Sequence, residues 1–477
     1  MPTDNLPIVL DRADGRPLAV QVADALREAA GGGALRVGDR LSSTRALAAR
    51  LGVSRTVTAT AYDQLLAEGW LAGRRGAGTY VIAAPPGPGR TSPAAPPEPI
   101  APAAGTPGVE PIDLTAGQPC LHVVDRAAWR RAWRAAADHP PGGHPEHAGT
   151  PAFRRTVVDH LLRHRGLTVP PDRVLATAGT TDGLAELAAQ LPTGARVAVE
   201  EPGYQRAART LADAGLRVVP VPVDDDGLRV DALPTGLAAA YCTPAHQFPM
   251  ASRLSAERRL ALVERARAEG FLVLEDDYDG ELRYDVAPLP LLAALGPDVV
   301  AHLGTASKLL SPTLGAGWLV APAALHERVL AARRATSVRP SPAGQLVFAE
   351  LAEYGDLARH LRRLRRELAD RRARVIELCA RHGVAALGDP AGAHLRVELP
   401  SAEAERAVVG AAAAAGVRVP ALADYHWAGQ ARFGVSLGFA GPARPELERA
   451  VSELARLVAA EAGTQVSSPE PAAGADG

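Results

Sequence analysis

Val299-Val300-Ala301-His302-Leu303-Gly304-Thr305-Ala306-Ser307-Lys308 is a short apolar run that closes on hydroxyls and a lysine. Other runs share its form: RVAVEEP at 196–202, LRVVPVPV at 216–223, LAAAYCTP at 237–244, FLVLEDDY at 271–278 and AGWLVAP at 316–322. Stretches rich in Ala, Leu and Arg, with helical character, separate them. Such alternation predicts an α/β fold with a mixed, mostly parallel sheet. In open sheets of this class the ligand crevice lies outside the carboxyl ends of the strands. Chemistry is therefore sought where each run turns polar.

Lys308 is the first candidate. Of the 52 lysines and arginines in the 477 residues, it is the one lysine. Arginine serves as well for surface charge or ion pairs, but it cannot deprotonate near neutral pH and attack a carbonyl. A lysine amine can, forming a Schiff base once burial or a nearby cation lowers its pKa. At the end of FLVL, the Asp276 carboxylate is suited to a pyridine ring nitrogen, which it would keep protonated. Tyr278 is placed for the phenolic oxygen of the same ring. Gly179, Thr180 and Thr181 stand between an apolar run and the helical GLAELAAQL, where small residues and hydroxyls make a phosphate cradle. Tyr204 offers a face on which a flat ring can stack. His246, in TPAHQFP at 243–249, adds a polar contact.

Composition narrows the setting. Net charge is −1 and pI about 6.9, so any nucleic-acid contact must be local. The cysteines (Cys120, Cys242, Cys379) form no CxxC pair, which predicts neither a structural metal nor a disulfide framework and fits a reducing cytoplasm. No basic-then-apolar leader and no run of about 18 apolar residues is present, so a soluble chain without membrane contact is expected.

The local basic region is at the start. Residues 18–30 carry apolar residues at helical spacing, Ser43 opens a second helix, Gly52 breaks it, and Ser54 caps a third. Two helices around a tight turn containing Gly are a helix-turn-helix signature. Two short strands around Gly73-Arg74-Arg75-Gly76-Ala77-Gly78 add a wing. Residues 17–82 hold eight arginines against five acids. The stretch RLSSTRALAARLGVSRTVTATAYDQLLAEGWLAGRRGAGTYV resembles the winged helix of GntR-type bacterial transcription regulators. Ser54, Arg55 and Thr56 are then expected in the major groove. Ser43, Arg45, Arg74, Arg75 and Gly76 are expected at phosphates or base edges of a double-stranded operator.

From Ala83 to Pro111 proline, alanine and glycine dominate and no apolar period survives, which predicts a semi-extended linker. The expected domains are thus 1–82 (DNA-binding), 83–111 (linker), 112–463 (effector domain) and 464–477 (disordered tail). The motifs VEEPGY, CTPAHQFP, LEDDYDGELRY, PLPLLAALGPDVVAHLGTASKLLSP and SLGFAG resemble the aminotransferase-like, fold type I domain of the MocR regulators, which join it to a GntR-type winged helix. That resemblance implies pyridoxal 5'-phosphate as cofactor and Lys308 as its Schiff-base lysine. It places Asp276 on the pyridine nitrogen, Tyr278 on the phenolic oxygen and Tyr204 against the ring. Thr180, Thr181, Thr305 and Ser307 fall near the phosphate. It also implies a homodimer whose operator spacing responds to the cofactor or its adduct with an amino compound.

Two departures bear on function. Relatives carry an arginine seven residues after the lysine, where this chain has Gly315. Transaminases hold the substrate carboxylate with a late arginine, where this chain has Ser436; Arg432, four residues earlier, is a candidate substitute. Both losses favour a sensing regulator over the alternative, an active aminotransferase with a DNA-binding module attached.

Overall fold

A computed structural model describes residues 6, 8–31, 34–68, 70–74, 78–82, 110–140, 142, 144–285, 290–429 and 432–466. The chain divides into two compact units, 1–101 and 102–477. Most of the expected linker and residues 467–477 of the expected tail lie outside the described residues.

In the first unit, α1 (Leu18–Gly31), α2 (Thr44–Leu51) and α3 (Arg55–Ala67) precede the antiparallel pair β1 (Leu71–Arg74) and β2 (Gly78–Val81). The Ser43 hydroxyl accepts from the Ala46 amide at 3.2 Å and the Ser54 hydroxyl from Val57 at 3.4 Å, capping α2 and α3. Gly52 ends α2 at φ 62°, a conformation that favours glycine. Across the turn, Thr58 donates to the Thr44 carbonyl and Tyr62 to that of Ser42, both at 2.8 Å. Val22, Leu26, Leu47, Tyr62, Leu65 and Val81 close one core beneath.

The second unit begins with β3 (Ile112–Asp113), α4 (Arg126–Ala137) and α5 (Pro151–Arg165). Then come β4 (Val174–Thr177), α6 (Thr180–Ala188), β5 (Arg196–Glu201), α7 (Gln205–Asp213), β6 (Arg217–Asp224), β7 (Gly227–Leu228) and β8 (Ala239–Cys242). Next are α8 (Ala256–Glu269), β9 (Leu272–Asp277), α9 (Leu292–Leu295), β10 (Val300–Thr305) and β11 (Gly317–Val320). The chain finishes with α10 (Ala323–Thr336), α11 (Pro342–Glu353), α12 (Asp356–Ala380), β12 (His394–Glu398), α13 (Ala402–Ala414), β13 (Val417–Arg418), β14 (Gly434–Gly438) and α14 (Arg444–Val466). The last helix therefore runs three residues past the expected end at 463.

Eight strands form one sheet in the order β4-β11-β10-β9-β8-β5-β6-β7. From β10 through β6 neighbours are parallel, whereas β11 is antiparallel to both β10 and β4. Two reversals cancel, so β4 points the same way as β10, and its carboxyl end reaches the same edge. Alternate residues go to opposite faces: Ala198, Ala240 and Val273 join one buried cluster, Val199, Tyr241 and Leu274 the other. A sheet packed on both faces needs continuous apolar runs, which is why these strands read as such.

Candidate functional site

The carboxyl ends of β4, β5, β8, β9 and β10 surround a cavity of about 380 Å³. Its lining includes Gly179, Thr180, Thr181, Tyr204, Asp276, Tyr278, Thr305, Ser307 and Lys308. The structure thus brings together all the residues expected around a cofactor except His246. That side chain is buried but absent from the lining; it lies behind Tyr278, its ring stacked on the phenol at 29° and 6.4 Å between centroids.

Three successive acids end β9, and strand alternation gives them different fates. Glu275 accepts the Leu292 and Ala293 amides at the start of α9, at 2.7 and 3.1 Å. Asp277 is held by Arg165 through two bonds of 2.7 and 2.8 Å, a fork between buried partners. Asp276 faces the cavity from the opposite side. Tyr241 donates to its Oδ2 at 2.7 Å, while Oδ1 is buried with no hydrogen-bond partner. Burial pushes its carboxyl up to about 7 despite the opposing effect of the Tyr241 and Thr180 hydroxyls. An orphaned carboxylate oxygen aimed into a cavity is a place for a protonated ring nitrogen, whose charge would hold the carboxylate ionised.

Lys308 follows β10 and donates to the Gly117 carbonyl at 2.5 Å. Gly117 sits at φ +85°, and a Cβ there would stand 3.4 Å from the amine. Burial lowers the Lys308 pKa; Asp279 and Asp276 oppose that, and Arg206 adds to it. Thr305 donates to the Ser307 hydroxyl at 2.9 Å and accepts the Ser307 amide at 3.1 Å, so this hydroxyl pair is fixed beside the amine. On the β4 side, α6 opens at Thr180 with first-turn amides that have no partner within the helix. Those amides and the helix dipole favour an anion.

The lining also includes Arg206 and Tyr241, neither of which was singled out in the sequence. Arg206 matters most, being the only arginine in the lining and forming no salt bridge among the described residues. It stands two residues after Tyr204, in the first turn of α7. Its place after a strand end, in EPGYQR, was the available signal. Gly315 lies outside the lining at φ +56°, with nothing within 4 Å of a Cβ built on it. Ser436 is fully buried in β14. Arg432 bonds Glu398 at 2.9 Å and is absent from the lining.

In the first unit Ser43, Arg45, Ser54, Arg55 and Thr56 are all exposed along the starts of α2 and α3. Arg74 closes β1 opposite Gly78. Arg75 and Gly76, also expected at DNA, lie outside the described residues.

Residues 18–81 match the family described as bacterial regulatory proteins, gntR family, and residues 109–454 match aminotransferase class I and II. Over 472 residues the chain is 36% identical to the HTH-type pyridoxine biosynthesis transcriptional regulator PdxR of Corynebacterium glutamicum, covering 95% of this chain and 99% of that one. The chain belongs to the MocR-type regulators of the gntR family. It is also 31% identical to the probable rhizopine catabolism regulatory protein MocR of Rhizobium meliloti, over 91% of this chain and 92% of the other. Among solved structures, an archaeal alanine:glyoxylate aminotransferase superposes with a TM-score of 0.69 at 25% identity, over 73% of this chain and 91% of that one. As a MocR-type regulator the chain is a DNA-binding transcription regulator with an aminotransferase-like domain, and domains of that class typically bind pyridoxal phosphate. No helix among the described residues is long and apolar enough to cross a membrane.

Proposed function

We propose that the large domain senses pyridoxal phosphate, or its adduct with an amino compound, by covalent capture at Lys308. The reading rests chiefly on one juxtaposition: the chain's single lysine and the free Oδ1 of Asp276 line the same cavity. The cofactor, when bound, supplies an aldehyde for the amine and a ring nitrogen that accepts a proton. Asp276 would hold that nitrogen protonated and Tyr204 would cover the ring. Tyr278 would donate to the phenolic oxygen. The start of α6, Thr305, Ser307 and Arg206 would share the phosphate charge that an arginine at position 315 carries in relatives. One relative is named for regulating pyridoxine biosynthesis, which supports a vitamin B6 compound as effector. Capture would shift a homodimer between geometries and thereby change how its paired winged helices, through Arg45, Arg55 and the wing, engage a two-part operator.

The test is direct. Full-length protein mixed with pyridoxal phosphate develops a visible absorbance band, and borohydride reduction fixes the adduct on the peptide carrying Lys308. A reduced sample with no label on that peptide overturns the reading. A second reading, aminotransferase turnover, is favoured by Arg206, whose guanidinium, in no salt bridge among the described residues, could hold a substrate carboxylate instead of a phosphate. Sustained amino-group transfer at about 1–10³ per second would establish it.

A further inference from the structure

We propose that His246 and Asp279, which lie outside the cavity, are positioning residues that set the direction and the proton of the Tyr278 hydroxyl. The Tyr278 hydroxyl lies 2.9 Å from the His246 carbonyl oxygen and 3.3 Å from His246 Nδ1. Asp279 Oδ2 is 2.9 Å from the same Nδ1, and both side chains are at least 96% buried, with side-chain exposures of 0% and 4%. A carboxylate on Nδ1 fixes the tautomer, so Nδ1 carries the proton. The hydroxyl donates to the His246 carbonyl, while the one Nδ1 proton goes to the Asp279 carboxylate, which also bears directly on the phenol. The phenol's own proton stays on that carbonyl or turns into the cavity, and the ring beneath it decides how far it must turn.

The ring cannot drift. Gly392, at φ +62°, packs so closely that a Cβ there would collide with His246 Nδ1 and Asp279 Oδ2. His394 closes the other side, its ring centroid 4.4 Å from that of His246. The charged and titratable groups around the Tyr278 hydroxyl come from several elements: Asp279 and Asp276, Glu200 of β5, His246, His394 of β12, and Lys308. Burial first, then Asp279, Asp276 and Glu200, raises the phenol well above its ordinary pKa. Tyr278 is accordingly a donor at any working pH, and His246 with Asp279 sets where it donates.

Two experiments on the full chain test this, and only the second rests on the cofactor reading. In the ligand-free protein labelled with 13Cζ-tyrosine, the Tyr278 resonance is assigned by its absence in Tyr278→Phe. Asp279→Asn and His246→Gln each displace it while the other tyrosine resonances stay in place, and Asp279→Glu restores it. A Tyr278 resonance unmoved in both variants overturns the proposal. The undisturbed tyrosines report that each variant is folded; if one is not, the other carries the test.

In the pyridoxal phosphate complex the readout is the pH midpoint of the visible band, and the sign discriminates. A hydrogen bond from Tyr278 draws electron density from the ring's phenolic oxygen and loosens its hold on the neighbouring protonated Lys308 nitrogen. If Asp279 acts through Tyr278, Asp279→Asn raises the midpoint by about one pH unit, and it moves nothing in a Tyr278→Phe background. If Asp279 acts directly as counter-charge to Lys308, its removal lowers the midpoint in both backgrounds, which overturns the proposal. A protein that takes up no pyridoxal phosphate sinks the cofactor reading and leaves the resonance test standing. Stoichiometric transition metal, lost on His394→Gln, would reassign His246, Asp279 and His394 as its ligands and overturn the positioning role.

Discussion

The two units deploy charge in opposite ways. At the starts of α2 and α3, Arg45 and Arg55 are exposed and form no salt bridge among the described residues. At the end of β9, by contrast, every carboxylate is buried, and all but one oxygen of the three acids has a partner. An exposed guanidinium costs little to keep, because water solvates it until a phosphate displaces the water. A buried carboxylate is tolerated only with partners, so the one oxygen without a partner stands out against a background where the others are satisfied. The winged helix therefore advertises its function through surplus charge, and the cavity through a single deficit.

Lys308→Arg gives the largest expected effect, keeping the positive charge but removing the nucleophile. Reductive labelling by pyridoxal phosphate should vanish by mass spectrometry while ligand-free operator binding persists; a surviving label means the covalent site is elsewhere. Asp276→Asn tests the deficit itself. Loss of a charged hydrogen bond, worth about 1.5–3 kcal/mol, should weaken cofactor binding by roughly 10- to 100-fold by spectral titration. An unchanged affinity would mean that Oδ1 is not the cofactor's partner.

Arg55→Ala probes the surplus. Specific operator affinity should fall by about 1–3 kcal/mol, whereas Arg45→Ala, if on a phosphate, should reduce the salt slope by about one. Equal damage to the cofactor spectrum would erase the contrast between the units. Asp276 also gives a pH effect. It is raised from 3.8 to about 7 in the folded chain, so the ligand-free folded state holds a proton there that the unfolded chain releases. That stability is fully present below the unfolded value and is lost as pH rises through 7. Melting temperature should fall over this window, less steeply in Asp276→Asn; Glu200, also raised to about 7 by burial, keeps some slope. Ser54→Ala should cost only about 1 kcal/mol through the lost cap of α3.

Much of this was legible from residues alone. Each apolar run quoted from the large domain became a strand, because a sheet buried on both faces leaves no polar alternation to blur the signal. Strand direction was less visible: AGWLVAP gives no hint that β11 runs against its neighbours, since that depends on pairing and not on composition. Tyr241 lies in an apolar run and is buried, yet its hydroxyl meets Asp276 because β8 and β9 are paired in the register Tyr241 to Leu274. His246 looked like a cavity residue because it follows a strand end, but the loop after β8 turns its ring beneath Tyr278. Arg206 was passed over because a lone arginine at a helix start reads as surface charge until a cavity is found beside it.

The half-buried amine of Lys308, bonded to the Gly117 carbonyl, has a practical corollary. Within these 477 residues Lys308 is the one side-chain target for amine-directed reagents, and it lines the ligand cavity. Acylation at this position is therefore a footprint of occupancy, suppressed by anything that fills the space and needing no chromophore. A lysine-specific protease acting on the denatured chain has likewise one place to cut, so a modified amine is recorded as an intact chain.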